Sequence, residues 1–138
     1  MTRLEGTCHC GNIAIVLETE QDPSALPLRA CDCSFCRRHG ARTISDPQGR
    51  ARVGIQDPQL VSRYLFGLRT SEMIVCSRCG MYCAAVYREG ERGWAVINAN
   101  LFLHPAFDRP PKVVSYEGET AQTRIERRKK MWTPLVGS

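Results

Sequence analysis

Eight of the 138 residues are cysteine, and seven of them stand in three tight groups. The first is Cys8-His9-Cys10-Gly11. The second is Cys31-Asp32-Cys33-Ser34-Phe35-Cys36, followed by Arg37 and Arg38. The third is Cys76-Ser77-Arg78-Cys79-Gly80, with Cys83 trailing. Zinc binds thiolates at about 2.3 Å in a tetrahedron. Two cysteines separated by one or two residues can approach one ion from a tight turn. Two such pairs from distant parts of the chain can then complete a site. Gly11 and Gly80 each follow a pair, where glycine leaves room for backbone N–H groups to turn toward sulfur and accepts a positive φ. A lone C-x-x-C also occurs in redox sites. Three groups in one chain are far more specific, and they predict at least one bound zinc.

The rest of the composition supports metal over disulfides. Cysteine reaches about 6% of the chain, above ordinary usage but below that of disulfide scaffolds. The amino terminus, MTRLEG, has no apolar stretch of the kind that marks a secretory signal. A cytoplasmic protein with reduced thiols is therefore expected. Hydrophobic residues at 43% and charged residues at 24% are ordinary for a folded domain and argue against disorder. The longest aliphatic run, Ile13 to Leu17, is far short of the roughly 18 residues a membrane-spanning helix needs.

The elements that must hold these cysteines are mostly strands. The pattern predicts strands at Asn12 to Glu18, Arg50 to Ile55, Ser62 to Phe66, Glu72 to Val75, Tyr82 to Tyr87, Trp94 to Ala99 and Lys112 to Tyr116. Turn signals such as Asp46-Pro47, Asp57-Pro58, Glu89-Gly90 and Arg109-Pro110-Pro111 separate them. Only Ser34 to His39 and Thr123 to Met131 read as helices. There is no βαβ alternation, so a mainly β fold with short helices only is expected. One domain over residues 1–138 is expected, with residues 121–138 as a basic C-terminal segment.

Several other residues could do chemistry. Arg37, Arg38 and Arg42 surround the second group, and arginine forks grip carboxylates, so they are candidate substrate-binding residues. His39 follows Cys36 at a spacing compatible with a fourth ligand; otherwise it is a helix-end histidine facing water. His9 is expected to point away from the metal, and His104 to be a loop histidine rather than a proton shuttle. Cys83 is expected to be a plain buried thiol. Strand alternation would place it with Ala85 and Tyr87, and Tyr82 with Ala84 and Val86 on the other face. Trp94 and Tyr64 read as core or pocket wall. The run Arg124-Ile125-Glu126-Arg127-Arg128-Lys129-Lys130 reads as a solvated helix face. Seven thiolates and two zinc ions would lower the net charge from +5 to about +2. That argues against a dedicated polyanion binder, because nonspecific affinity rests on clustered Lys and Arg.

The order CHCG, CDCSFCRRHGA, CSRCG resembles the family of glutathione-dependent formaldehyde-activating enzymes, which includes centromere protein V. The segment from Gln59 to Gly67 is also similar to the family's region before its last cysteine pair. The family usually has an aromatic residue before that pair, where this chain has Val75. The resemblance implies a two-zinc β-tent fold, shared with methionine sulfoxide reductase B. It implies that Cys8, Cys10, Cys76 and Cys79 close a structural zinc, and that Cys31, Cys33 and Cys36 hold a second zinc with one open position. Counting agrees: seven motif cysteines fill one tetrahedral site and leave the other one ligand short, the hallmark of catalytic zinc.

The function this implies is a zinc-dependent carbon–sulfur lyase-type enzyme handling a thiol adduct. In the family's sense it joins glutathione and formaldehyde into S-hydroxymethylglutathione. Its expected partners are a small thiol such as glutathione and a small aldehyde, with neither membrane nor nucleic acid. The alternative is a noncatalytic zinc module that binds protein or nucleic acid. A sulfoxide reductase of the same fold ranks last, because it needs a low-pKa cysteine outside the zinc ligands, and Cys83 is the only spare.

Overall fold

A computed structural model describes residues 1–137. It is mainly β, with two short helices. Strands β1 (Thr2–Thr7), β2 (Ile13–Thr19) and β5 (Arg50–Ile55) form a three-stranded antiparallel sheet in the order β1-β2-β5. The remaining strands are β3 (Arg29–Cys31), β4 (Thr43–Ile44), β6 (Val61–Tyr64), β7 (Glu72–Cys76), β8 (Tyr82–Glu89), β9 (Arg92–Asn98), β10 (Lys112–Val114) and β11 (Thr133–Pro134). They build a larger sheet in the order β10-β3-β4-β9-β8-β7-β6, with β11 on β9. All its pairings are antiparallel except β10 on β3. Helix α1 (Ser34–His39) follows β3, and α2 (Ala121–Met131) precedes β11.

Alternation decides which faces meet. Along β2, Ile13, Ile15 and Leu17 are buried, and they join Leu4 of β1 in one core. The large sheet contributes Ile74, Ala84, Val86, Ala95 and Ile97 to that same core. Its opposite face carries Met73, Ala85, Trp94 and Val96, against which Trp132 packs just beyond α2. Burying such apolar side chains contributes about 1.5–3 kcal/mol each for the larger ones. The α2 helix starts at a reciprocal capping box, in which Thr120 and Thr123 satisfy each other's backbone N–H groups.

One irregularity matters for the site. In the β7/β8 pair, Ile74 faces Ala84 but Val75 faces Tyr82, so Cys83 is an extra residue on β8. Such a bulge breaks alternation and re-aims a side chain. Cys83, Ala84 and Val86 all enter the main core, while Tyr82 turns to the same side as Ala85. The strict alternation expected from sequence is therefore corrected here. Buried Asn98 braces the bulge, its Nδ2 donating to the Tyr82 carbonyl at 2.9 Å.

Candidate metal centres and the adjoining cavity

The first cysteine cluster is made by two turns. The β1–β2 turn supplies Cys8 and Cys10; the end of β7 and the turn after it supply Cys76 and Cys79. Gly11 (φ +85°) and Gly80 (φ +78°) let these turns close. The Gly11 N–H donates to the Cys8 carbonyl at 3.0 Å, and the Gly80 N–H to that of Cys76 at 2.8 Å. The Ile13 N–H donates to the Cys8 sulfur at 3.3 Å. The four sulfurs lie within 4.8 Å of one another, with Cys8–Cys10 at 3.8 Å and Cys10–Cys76 at 3.5 Å. A sulfur tetrahedron with arms of about 2.3 Å has edges of about 3.8 Å, whereas a disulfide would bring two sulfurs to about 2.05 Å. All eight cysteines are free. The cluster has the dimensions of a metal site, and four tetrahedral sulfurs suit zinc or iron–sulfur chemistry. Cys8 and Cys76 are buried and the other two half-buried, so the four are tied into the main core.

The second cluster joins a strand end to a helix start. Cys31 ends β3, held between β4 and β10, and the Asp32 N–H donates to the Val114 carbonyl at 2.9 Å. Cys33 is the N-cap of α1, its sulfur accepting from the Cys36 N–H at 3.3 Å. Cys36 lies buried in the first turn of α1. The three sulfurs are again within 4.8 Å of one another. Hydrogen bonds from Cys31 and Cys36 hold the Cys33 thiol down to about 2. Cys31 and Cys33, with burial, push Cys36 far up. Among the described residues, no histidine or carboxylate joins this trio. His39 is exposed and its ring lies 4.4 Å from that of Phe35, so it sits at the helix end instead.

This trio borders a cavity of about 430 Å³. The outer face of the large sheet forms its floor, with Met73, Tyr82, Ala85 and Val96. Helix α2 and the chain beside it form the facing wall, with Arg124, Arg127, Arg128, Met131 and Trp132. Tyr82 is fully buried, and its ring meets Phe35 edge-on at 5.0 Å. Desolvation first, and then the negative field of Cys36, Cys33 and Cys31, raises its phenol well above 10. It therefore stays protonated and can donate a hydrogen bond.

The basic run of α2 is solvated on one side only: Lys129 and Lys130 are exposed, Arg124 and Arg127 are half-buried and Arg128 is buried, so the solvated-face expectation holds for part of the run and is corrected for the arginines. Arg124 and Arg127 pair with Glu119 at 3.3 and 2.9 Å. Arg127 also stacks over Tyr116 at 3.5 Å, and Lys129 pairs with Glu89. Arg128 is 5% exposed. Sequence reasoning missed these arginines, although Arg124 and Arg128 at i, i+4 share one helix face.

Of the three arginines singled out from sequence, only Arg37 borders the cavity. Arg38 is exposed and donates back to the Ser34 carbonyl at 3.2 Å. Arg42 serves the scaffold: its Nε donates to Asn100 Oδ1 at 2.9 Å and its Nη1 to the carbonyls of Phe107 and Arg109. Tyr64 is half exposed and stacks on Phe35 and Phe66, outside the core, whereas Trp94 is buried. His104 caps a short helical turn, its Nδ1 accepting from the Ala106 N–H at 3.0 Å. Cys83 is fully buried and burial pushes its thiol up to about 12, which makes it inert. Among the described residues no helix is long and apolar enough to cross a membrane.

Among solved structures, the chain is similar to a Rhodobacter sphaeroides protein determined in a structural genomics programme. The two share 29% identity and a TM-score of 0.61, over 80% of this chain and 100% of the other. No family model matches the chain. No curated protein matches it either.

Proposed function

We propose that this protein is a zinc-dependent enzyme of the carbon–sulfur lyase type, acting on a small thiol adduct, with the β-tent architecture of the glutathione-dependent formaldehyde-activating enzymes. The observation that carries the reading is the three-cysteine cluster, one ligand short of a tetrahedron, at the wall of a cavity of ligand size. The four-cysteine cluster, tied into the core, is the structural site.

In this reading Cys31, Cys33 and Cys36 are ligands, and zinc at that site supplies the charge that keeps an entering thiol ionised at neutral pH. The reaction adds the thiol sulfur to the carbonyl carbon of a small aldehyde; the proton lost from sulfur ends on the new hydroxyl, and the lyase direction is the reverse. The chain's own groups assist. Tyr82 remains protonated and can donate a hydrogen bond to the oxygen that gains charge. Met73, Trp132 and Phe66 wall the cavity with apolar surface, and Arg37 adds positive charge at its edge. The alternative of a noncatalytic module relies on a free basic tail, and most of that tail is engaged within the fold.

Exchange NMR of glutathione with formaldehyde tests this reading. The protein should accelerate interconversion of the free thiol and its hydroxymethyl adduct, and Cys33→Ser should abolish the acceleration. Equal rates with and without protein would overturn it.

A further inference from the structure

Arginine is almost never fully buried unless paired. Arg128 breaks that rule. It is 5% exposed, and among the described residues it makes no ion pair. One guanidinium nitrogen, Nη1, donates to Thr70 Oγ1, and the guanidinium carbon Cζ lies over the Trp132 ring, 4.9 Å from its centre. Its Nε is buried with no hydrogen-bond partner. The nearby carboxylate, Glu119, is already shared by Arg124 and Arg127. Burial disfavours the charge of Arg128 first, and the like charges of Arg127 and Arg124 add to that cost. A buried donor left unmade is expensive. A fold that keeps such a group next to a cavity keeps it for something that enters the cavity.

The cavity itself says what that is. Arg128 lines the same space as Cys31, Cys33 and Cys36. A guanidinium presents parallel donors in a fixed fork that matches a carboxylate. The acidic residues at the cavity, Asp32 and Glu117, are both exposed, so neither neutralises the buried charge.

We propose that Arg128 is the anion receptor of this cavity, holding the carboxylate of a ligand whose thiol sulfur lies at the three-cysteine end. The thiol half of this inference rests on the function proposed above; the anion half rests on Arg128 alone. The substrate class is then a carboxylated thiol, and an uncharged thiol of the same size is a poor ligand.

The test uses the zinc-loaded full chain and three probes: 3-mercaptopropionate, 2-mercaptoethanol and propionate. Binding is read by calorimetry and by thermal protection. The wild type should prefer 3-mercaptopropionate to 2-mercaptoethanol on the order of 10-fold. Arg128→Gln should lose that preference while binding 2-mercaptoethanol as before. Arg128→Lys keeps the charge without the fork and should retain only part of it, and it serves if the glutamine variant does not fold. No preference in the wild type, or equal propionate binding by wild type and Arg128→Gln, would overturn the proposal. Propionate protecting the wild type as well as 3-mercaptopropionate does, with both effects lost in Arg128→Gln, would keep the anion receptor and remove the thiol reading.

Discussion

Replacing Arg128 by methionine should leave the ligand-free protein about as stable as the wild type, which is unusual for a residue this buried. Burial, reinforced by Arg127 and Arg124, lowers the Arg128 guanidinium from its ordinary value to about 10. That fall disfavours the charged form by about 3 kcal/mol. The unfolded state binds more protons from about pH 10 up to the ordinary guanidinium value, so stability rises with pH across that window. At neutral pH the full cost is present. Methionine removes it and keeps an unbranched apolar stem against Trp132. The variant loses the Thr70 hydrogen bond, worth about 1.5–3 kcal/mol for a charged donor. It also loses the cation–π contact with Trp132, worth about 0.5–2 kcal/mol. These effects nearly cancel, and the expected change is within about 1 kcal/mol, or about 4 °C in Tm. Urea unfolding of both proteins in low-salt buffer checks this. Protection of the wild type by saturating 3-mercaptopropionate, about 2.7 kcal/mol at 100 times Kd, should shrink in the variant. A loss of about 3–5 kcal/mol in the ligand-free variant would refute the reasoning, because that is the signature of breaking a satisfied buried ion pair.

Other substitutions separate the two clusters and the scaffold. Cys10→Ser should lower bound zinc from two ions to one and destabilise the fold strongly, read by metal analysis and thermal unfolding, because its cluster joins two turns in the core. Cys33→Ser should also lose one ion but unfold at nearly the wild-type temperature. Tyr82→Phe should fold normally and slow the adduct exchange about 10-fold or more, the scale of losing one positioned donor; an unchanged rate would remove Tyr82 from the chemistry. Arg42→Ala should destabilise by about 1–3 kcal/mol through its lost carbonyl contacts while leaving thiol affinity unchanged. Native alkylation with iodoacetamide should spare Cys83, and Cys83→Ala should retain full exchange activity.

Much of the frame was legible because the residues announce it. Cysteine spacing marked all seven candidate ligands, and glycines at 11 and 80 marked their turns. Alternation located β2, and the limits of β5 and α1 agree with the sequence reading. The missed elements carry weak local signals. Strand β1 offers only Leu4 and Gly6 to the core, and Gly6 is required because a Cβ there would lie 2.5 Å from the Leu101 carbonyl oxygen. Strands β3, β4 and β11 have two or three residues each, and β11 contains a proline. They exist because their neighbours supply partners. The orientation of Tyr82 depends on a bulge that only pairing with β7 creates. The role of the basic helix was hidden for a related reason. A run of seven residues with five positive charges reads as solvated until tertiary structure lays its three arginines along a cavity. Arg42 erred in the opposite direction: proximity in sequence to Cys36 suggested a ligand contact, but its partners lie about 60 residues further on.

The central claim is a three-cysteine metal site that still accepts a thiol. Cobalt substitution tests it directly, since the visible spectrum of cobalt reports its coordination and each added thiolate adds charge-transfer absorption. With two cobalt ions bound, titration with glutathione should give a saturable rise in that absorption, lost in Cys33→Ser and kept in Cys83→Ala. A spectrum unchanged by glutathione or 3-mercaptopropionate, with both ions in place, would contradict the open site and with it the proposed chemistry.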